Sequence, residues 1–152
     1  MIRAGMDVTF YFNVKHRGHA LCQLVGKALA QRLTINVLTA SDADSRELDR
    51  LLWEIPQIGF LPHCAADDPL APVTPIVIDH RPALLSDRAA LFNWTEAAIP
   101  AELDGHQRVL EIVERDDAAR DQARERWRSY QARGVTPQAV DMLELAAQRQ
   151  AG

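Results

Sequence analysis

The residues with the clearest chemical potential form a cluster of arginines and aromatics in ARDQARERWRSYQARG, the segment 119–134. Four side chains at i, i+4, i+7 and i+8 spacing share one face of an α-helix, and they are Arg120, Arg124, Trp127 and Arg128. Guanidinium groups bind carboxylates through paired hydrogen bonds, and an indole offers an apolar surface beside them. The pattern therefore favours a binding site for a short acidic segment with an apolar end.

A solvated helix face held by local ion pairs would explain the same arginines. Acidic residues stand three positions before arginines at Asp117 and Arg120, Asp121 and Arg124, and Glu125 and Arg128. Each such pair contributes a few tenths of a kcal/mol, and none would require arginine rather than lysine. From the residues alone, the two interpretations are evenly balanced.

A second cluster with binding potential is LLWEIPQIGFLPH, which ends at His63. Trp53 and Phe60 lie seven positions apart, and Pro62 follows them within a proline-rich stretch. The favoured interpretation is that both aromatic rings complete the hydrophobic core. The alternative is an exposed aromatic patch that docks a partner protein.

The rest of the chain carries no recognisable catalytic or cofactor motif. NVKHRGHA follows the first predicted strand and contains one glycine, and the sequence has neither GxGxxG nor GxxxxGK[ST], so the glycines that usually wrap a phosphate are missing. His16 and His19 stand at i, i+3 spacing, but no further ligand completes a metal set. Cys22 and Cys64 are expected to be separate thiols. The residues therefore predict no metal and no cofactor.

Composition and charge limit the class of protein. The chain has 152 residues, of which 47% are hydrophobic, as expected of one globular domain. No stretch approaches the ~20 apolar residues that cross a bilayer, and no signal peptide is evident, so a cytoplasmic protein without a membrane partner is expected. The net charge of −4 argues against broad nucleic-acid binding, which leaves DNA contact indirect.

The periodicity of the chain predicts an α/β fold. Strands are expected at 7–14, 34–39, 75–80, 90–95 and 108–114, and helices at 19–32, from the Ser41 cap through Trp53, and from Asp116 or Asp117 to Gly134. A helix between two strands implies parallel strands. We therefore expect residues 1–134 to form one domain, an open, twisted, mostly parallel sheet with helices on both faces. Residues 135–152 form a C-terminal extension, helical or partly disordered.

Four segments together resemble the chi subunit of bacterial DNA polymerase III. They are TFYF from Thr9, LDRLLWEIPQIGFLPH, VLEIVE from Val109 and ARERWRSYQARG. The resemblance implies a Rossmann-like topology without nucleotide-binding function. It also implies a non-catalytic accessory of the clamp loader, which pairs with the psi subunit and binds the acidic C-terminal tail of single-stranded DNA-binding protein. The alternative from another class is a degenerate α/β enzyme that binds a nucleotide or phosphate through the arginine cluster.

The same resemblance assigns residues to two surfaces. The tail-binding residues are Val113, Arg120, Arg124, Trp127 and Arg128. The psi-binding residues are Trp53, Phe60 and Pro62, and some members of the family are thought to bind a repair helicase there, in competition with psi. The terminal phenylalanine of the tail would enter a notch made by Val113 and Trp127, while its carboxylate meets Arg124.

Overall fold

The structure, a computed structural model, describes residues 6–54, 61–95 and 105–151, with side chains up to Gln148. The strands of these ranges are β1 (Asp7–Val14), β2 (Ile35–Leu38), β3 (His63–Cys64), β4 (Ile76–Asp79), β5 (Arg88–Asn93), β6 (His106–Glu114) and β7 (Gln138–Asp141). The helices are α1 (Arg17–Ala30), α2 (Asp42–Glu54), α3 (Asp117–Ala132) and α4 (Met142–Ala151).

All seven strands belong to one sheet, in the order β3-β4-β2-β5-β6-β1-β7. Every pairing among them is parallel, so the carboxyl ends of the strands meet at one edge of the sheet. β1 and β2 are parallel, as predicted from the helix between them, but β5 and β6 lie between them. The predicted α/β class with an open parallel sheet is confirmed.

Two hydrophobic cores cover the two faces of this sheet. Successive strand residues point to opposite faces, and accordingly Phe92 of β5 joins the core that contains residues of α1 and α2. Its neighbour Leu91 joins the core that contains Ala123 and Tyr130 of α3. Met142 places the start of α4 against the first core. Helices therefore lie on both faces, as the sequence predicts.

The predicted capping residues lie at the helix termini where they were expected. The Ser41 hydroxyl accepts a hydrogen bond from the Asp44 amide at 3.1 Å, and the Asp116 carboxylate accepts one from the Ala119 amide at 2.9 Å. Both satisfy amides that a helix start would otherwise leave unpaired. Gly134 follows α3 with φ of 89°, a conformation that favours glycine at a helix end.

The strand β7 has no counterpart among the sequence-based predictions. Its four residues pair with Thr9 to Phe12 of β1, and the weak helix predicted after Pro137 begins only at Met142. Gln138 and Ala139 are exposed, so the segment lacks the apolar pattern of a buried strand. Pairing with β1, far away along the chain, makes it a strand.

In the described part of the chain, no helix has both the length and the apolar character of a bilayer-spanning segment.

Candidate protein-binding sites

A pocket of about 250 Å³ opens between α3 and the sheet. We call it the α3 pocket. Strand residues line it together with one face of the helix, and the lining residues are Phe10, Phe12, Val113, Arg120, Ala123, Arg124, Trp127 and Ala139. Six of these eight side chains are apolar, so the pocket suits an apolar group approached by an anion.

The aromatic part of the α3 pocket is held by ring packing. The rings of Phe10 and Trp127 have centroids 5.2 Å apart, and those of Phe10 and Tyr130 are 5.8 Å apart at 83°. Both distances lie in the range that aromatic pairs prefer. Phe10 and Tyr130 are buried and Trp127 is half-buried, so part of the indole remains available to a ligand.

The arginines of α3 differ in their positions. Arg120 and Arg124 are exposed and line the α3 pocket, and Arg124 also pairs with Asp121 at 3.2 Å. Arg128 is exposed, pairs with Glu125 at 2.7 Å, and is not among the lining residues.

Two of the three predicted local ion pairs are therefore present. Among the described residues, Asp117 and Arg120 do not form the third. The helix is a solvated charged face and also the wall of a pocket, so the two interpretations of its arginines are compatible.

The structure brings into one pocket four of the five residues that the family resemblance assigns to tail binding. Val113, Arg120, Arg124 and Trp127 line it, and Arg128 lies outside. The assignment did not include Phe10, Phe12 and Ala139. The alternation of β1 could have indicated the two phenylalanines, since Phe10 and Phe12 fall on the same face as Val8. Ala139 depended on a strand that was not predicted.

A buried polar network fixes the rotation of α3 on the sheet. The Glu111 carboxylate of β6 is fully buried and lies 2.9 Å from Nε of Arg126. It also accepts hydrogen bonds from the Tyr130 hydroxyl and the Asn93 amide, both at 2.8 Å. Because Arg126 and Tyr130 point inward, the helix turns Arg120, Arg124 and Trp127 toward the pocket.

Burial is the largest influence on the pKa values of Glu111 and Tyr130 in this network. Burial raises the pKa of Glu111, while the positive charge of Arg126 and the hydrogen bonds from Asn93 and Tyr130 oppose that rise. Burial and the neighbouring carboxylate together raise the pKa of Tyr130, so its hydroxyl stays protonated and donates. A buried charge without such partners would be strongly destabilising.

The second predicted surface contains an exposed tryptophan, Trp53. The Trp53 side chain, at the end of α2, is 57% exposed, so the interpretation that it completes the core is wrong. Its ring lies on that of His63, with centroids 4.7 Å apart. Pro62, which precedes His63 in the sequence, is half-buried, and Leu61 is buried. Phe60 lies outside the described residues.

His63 ties this surface to α2. Its Nδ1 lies 2.6 Å from the Leu61 carbonyl oxygen, and its Nε2 lies 2.9 Å from Oδ1 of Asp49. The buried imidazole therefore lies between the chain after residue 60 and the helix that carries Trp53. We call Trp53 and Pro62, the residue before His63, the α2 patch.

A side chain of this protein occupies the place at the carboxyl ends of the strands where α/β proteins usually bind nucleotides. Ligands bind at the carboxyl ends of strands where successive helices pass to opposite faces, and here β1 leads to α1 while β6 leads to α3. At that point Glu114 accepts a hydrogen bond from the Arg17 amide at 3.2 Å. A carboxylate therefore already sits at the helix start where a phosphate would bind.

The described residues also provide no grouping of three or more His, Cys, Asp or Glu side chains that could hold a metal ion.

The sequence matches the model of a protein family described as DNA polymerase III chi subunit, HolC, over residues 6–138. It is 30% identical to the DNA polymerase III subunit chi of Pseudomonas aeruginosa over 113 residues, 74% of this chain and 78% of that protein. The DNA polymerase III subunit chi of Haemophilus influenzae is 26% identical over 113 residues, with the same shares of each chain. The family match includes every lining residue of the α3 pocket except Ala139.

Proposed function

This chain belongs to the family of DNA polymerase III chi subunits, and we propose that, as an accessory subunit of that polymerase, it binds the acidic C-terminal tail of single-stranded DNA-binding protein in the α3 pocket. We propose in addition that the α2 patch pairs with the psi subunit of the clamp loader. The chain would then act as a non-catalytic adaptor that connects two proteins of the replisome.

The observation that carries the first proposal is an apolar pocket with two exposed arginines among its lining residues. A tail that ends in phenylalanine presents an aromatic ring and a terminal carboxylate on the same residue. Binding it requires an apolar notch and a guanidinium group within one side chain's reach of each other. The α3 pocket supplies both.

In the proposed complex, each part of the tail has a defined contact. The terminal ring packs against Phe10, Val113 and Trp127, and the ring contact between Phe10 and Trp127 holds these two side chains in place. The terminal carboxylate accepts hydrogen bonds from Arg124, in the bidentate geometry that arginine favours. Acidic residues upstream meet Arg120. Arg128, outside the lining, contributes only long-range attraction.

Arg124 must exchange partners for this complex to form. Its pair with Asp121 joins two exposed side chains, 66% and 72% accessible, and such pairs contribute about 0–1 kcal/mol. The exchange therefore costs little. Asp121 remains near the pocket and repels an acidic tail, which keeps the contact weak.

We expect a dissociation constant in the micromolar range, which corresponds to about −8 kcal/mol. The contact is small and its charged groups are exposed, so added salt weakens it by screening.

The test of the first proposal is a calorimetric titration of the protein with a peptide that copies the C-terminal segment of the organism's single-stranded DNA-binding protein. A second peptide lacks only the final phenylalanine. The expected result is salt-sensitive micromolar binding of the first peptide and no measurable binding of the second. Equal binding of both would mean that the pocket does not receive the terminal residue, and the proposal would fail.

The second proposal rests on the exposure of Trp53 at the end of α2. Tryptophan is enriched among the residues that dominate binding energies at protein interfaces, and the ring of this one lies on that of His63, the residue after Pro62. Phe60 belongs to the proposed surface through the family resemblance. A repair helicase that binds chi would compete with psi for the same patch.

The contacts of α3 favour a peptide over the alternative ligand, a nucleotide or phosphate. The Asp116 carboxylate already accepts a hydrogen bond from the Ala119 amide at the start of the helix, so a phosphate would meet a negative charge there. Asp121 lies beside Arg124 and lowers the local positive potential. The apolar lining of the pocket instead matches an amino-acid side chain.

A further inference from the structure

A second groove, of about 480 Å³, lies between α1 and α4 at the carboxyl end of β1. We call it the α1–α4 groove. Its apolar lining consists of Val14, Ala20, Met142, Leu143, Leu145 and Ala146. The Leu143 side chain is 47% exposed, so the first turn of α4 presents apolar surface to solvent.

The charged side chains that line this groove are basic. Lys15 and Arg115 carry fixed positive charges, and His16 and His19 stand beside them with ring centroids 5.3 Å apart. Among the described residues that line the groove, none is acidic. The protein as a whole has a net charge of −4, so this concentration of positive charge is local and runs against the overall balance.

Two nearby acidic groups, Asp141 and Glu114, have partners of their own. Asp141 accepts hydrogen bonds from the amides of Leu143 and Glu144 at 2.9 and 3.3 Å, which caps the start of α4. Glu114 accepts from the Arg17 amide. Because the Glu114 carboxylate already occupies the start of α1, the attraction of the groove for an anion comes from the side chains of Lys15 and Arg115.

The nature of the apolar lining indicates which kind of anion fits. Proteins bind single-stranded nucleic acid by stacking bases on aromatic side chains along a charged groove, whereas this lining is aliphatic apart from the two imidazoles. Leucine, methionine and alanine side chains pack well against aliphatic side chains of a peptide. Charge and lining together therefore select an acidic peptide over a polynucleotide.

The α1–α4 groove is distinct from the α3 pocket. Ala20 and Met142 belong to the core on one face of the sheet, while Phe10, Val113 and Trp127 belong to the core on the other. A ligand in one site does not contact the residues of the other.

We propose that the α1–α4 groove is a second docking site, which binds an acidic peptide segment carrying aliphatic side chains. Lys15 and Arg115 attract its carboxylates, and Met142 and Leu145 receive its apolar side chains. This site does not depend on the proposed function of the α3 pocket.

The test uses the full chain with isotope-labelled methionine methyl groups and nuclear magnetic resonance. The sequence has three methionines, of which Met142 lines the groove and Met6 is buried in the opposite core. The probe is a short synthetic peptide of aspartates interrupted by a pair of leucines. We expect a saturable shift of the Met142 methyl signal and none for Met6, and no shift with a peptide in which asparagines replace the aspartates.

Two charge reversals provide the matched comparison. Lys15→Glu combined with Arg115→Glu should weaken the peptide at least about tenfold, because attraction becomes repulsion. Lys27→Glu, an exposed lysine at the other end of α1, should leave the affinity unchanged, as should Arg124→Ala in the α3 pocket. The milder pair Lys15→Gln and Arg115→Gln should weaken binding about threefold or more, and it covers the case in which the reversal variant misfolds.

Three results would overturn the inference. One is a Met142 signal that no acidic peptide shifts. Another is an equal shift in the charge-reversal variant, which would show adventitious apolar contact. The third is a shift caused by an oligothymidylate of matched charge but not by the peptide, which would make the groove a nucleic-acid site.

Discussion

Arg124 joins the two properties on which the proposed tail binding depends, because it lines an apolar pocket and remains exposed. Its planar guanidinium suits a terminal carboxylate better than a lysine ammonium would. Arg120 stands one helical turn before it and lines the same pocket.

We predict that Arg124→Ala weakens the tail peptide at least about tenfold, since hydrogen bonds to charged groups contribute about 1.5–3 kcal/mol. The measurement is the same calorimetric titration. Arg46→Ala is the matched control, because Arg46 is also an exposed helix arginine with a nearby carboxylate, Asp42, at 2.9 Å. Wild-type affinity in the Arg124 variant, or equal losses in both variants, would contradict the assignment.

Asp79 stabilises the fold through hydrogen bonds to its carboxylate. Its burial raises its pKa, but hydrogen bonds from the Arg81 side chain and from the amides of Ala66 and Arg81 outweigh this effect and lower the pKa from 3.8 to about 2. The carboxylate thereby links the end of β4 to the chain that follows β3.

The depressed pKa of Asp79 gives a prediction for acid stability. A carboxylate with a lower pKa in the folded state stabilises the fold above its unfolded pKa, and this contribution disappears as the pH falls from about 4 toward 2. Asp79→Asn should therefore reduce the free energy of unfolding near neutral pH by about 1–2 kcal/mol, allowing for the partial exposure of Arg81.

Urea unfolding at neutral and acidic pH measures this effect. The difference between wild type and Asp79→Asn should shrink as the pH falls, while the exposed Asp42→Asn should change stability little at either pH. A difference that stays constant across the range would show that the Asp79 charge is not the stabilising feature.

At the scale of elements, α3 is placed by contacts that its own sequence does not contain. Glu111 of β6 binds Arg126 and Tyr130, and Phe10 of β1 packs against Trp127 and Tyr130. These contacts hold one face of the helix against the sheet and leave the arginine face beside the pocket.

We predict that Tyr130→Phe separates stability from binding. The hydroxyl donates to a fully buried carboxylate, so its loss should lower the free energy of unfolding by about 1–3 kcal/mol. The ring contact with Phe10 remains, so affinity for the tail peptide should stay within about twofold of wild type. Chemical denaturation and peptide titration on the same variant measure both quantities.

Tyr11→Phe is the control for this change, since Tyr11 is the chain's other tyrosine and is half-buried on β1. It should alter the free energy of unfolding by less than about 0.5 kcal/mol. A large loss of peptide affinity in Tyr130→Phe would mean that the hydroxyl itself sets the position of the pocket wall.

At the scale of the whole molecule, the two proposed surfaces lie on different elements. The α2 patch is built on α2 and the short segment at β3, which is one edge of the described sheet, while the α3 pocket is built on α3, β6, β1 and β7 toward the other edge. Because the two proposed surfaces share no residue, the proposal predicts that both partners can bind at once.

We predict that Trp53→Ala abolishes capture of the psi subunit in a pull-down while leaving tail-peptide affinity within about twofold of wild type. Leu84→Ala is a suitable control, because Leu84 is another exposed large apolar residue, 46% accessible, away from both surfaces. If psi still bound the Trp53 variant, the α2 patch would not be its site. Joint loss of psi and of the tail would contradict the existence of two independent surfaces.

The local features of this protein were predictable because they depend on residues close together in sequence. Ser41 and Asp116 mark the starts of helices through bonds to amides three residues later. Gly134 marks the end of α3 through its positive φ. The helical period brings Arg120, Arg124 and Trp127 together on α3 whatever the helix packs against. The family resemblance rests on the same segments, and the family match confirms it.

The tertiary structure alone decided the features that depend on distant partners. The segment 138–141 is a strand because β1 lies beside it, and that pairing brings Ala139 into the α3 pocket. Arg126 is one of the six arginines between Arg115 and Arg133. It is buried because the Glu111 carboxylate, 15 residues away in the sequence, neutralises it. Trp53 is exposed although its sequence pattern suits a core, since the bound imidazole of His63 covers only part of its ring. Spacing along a helix fixes which side chains share a face, but only long-range burial and pairing fix what that face meets.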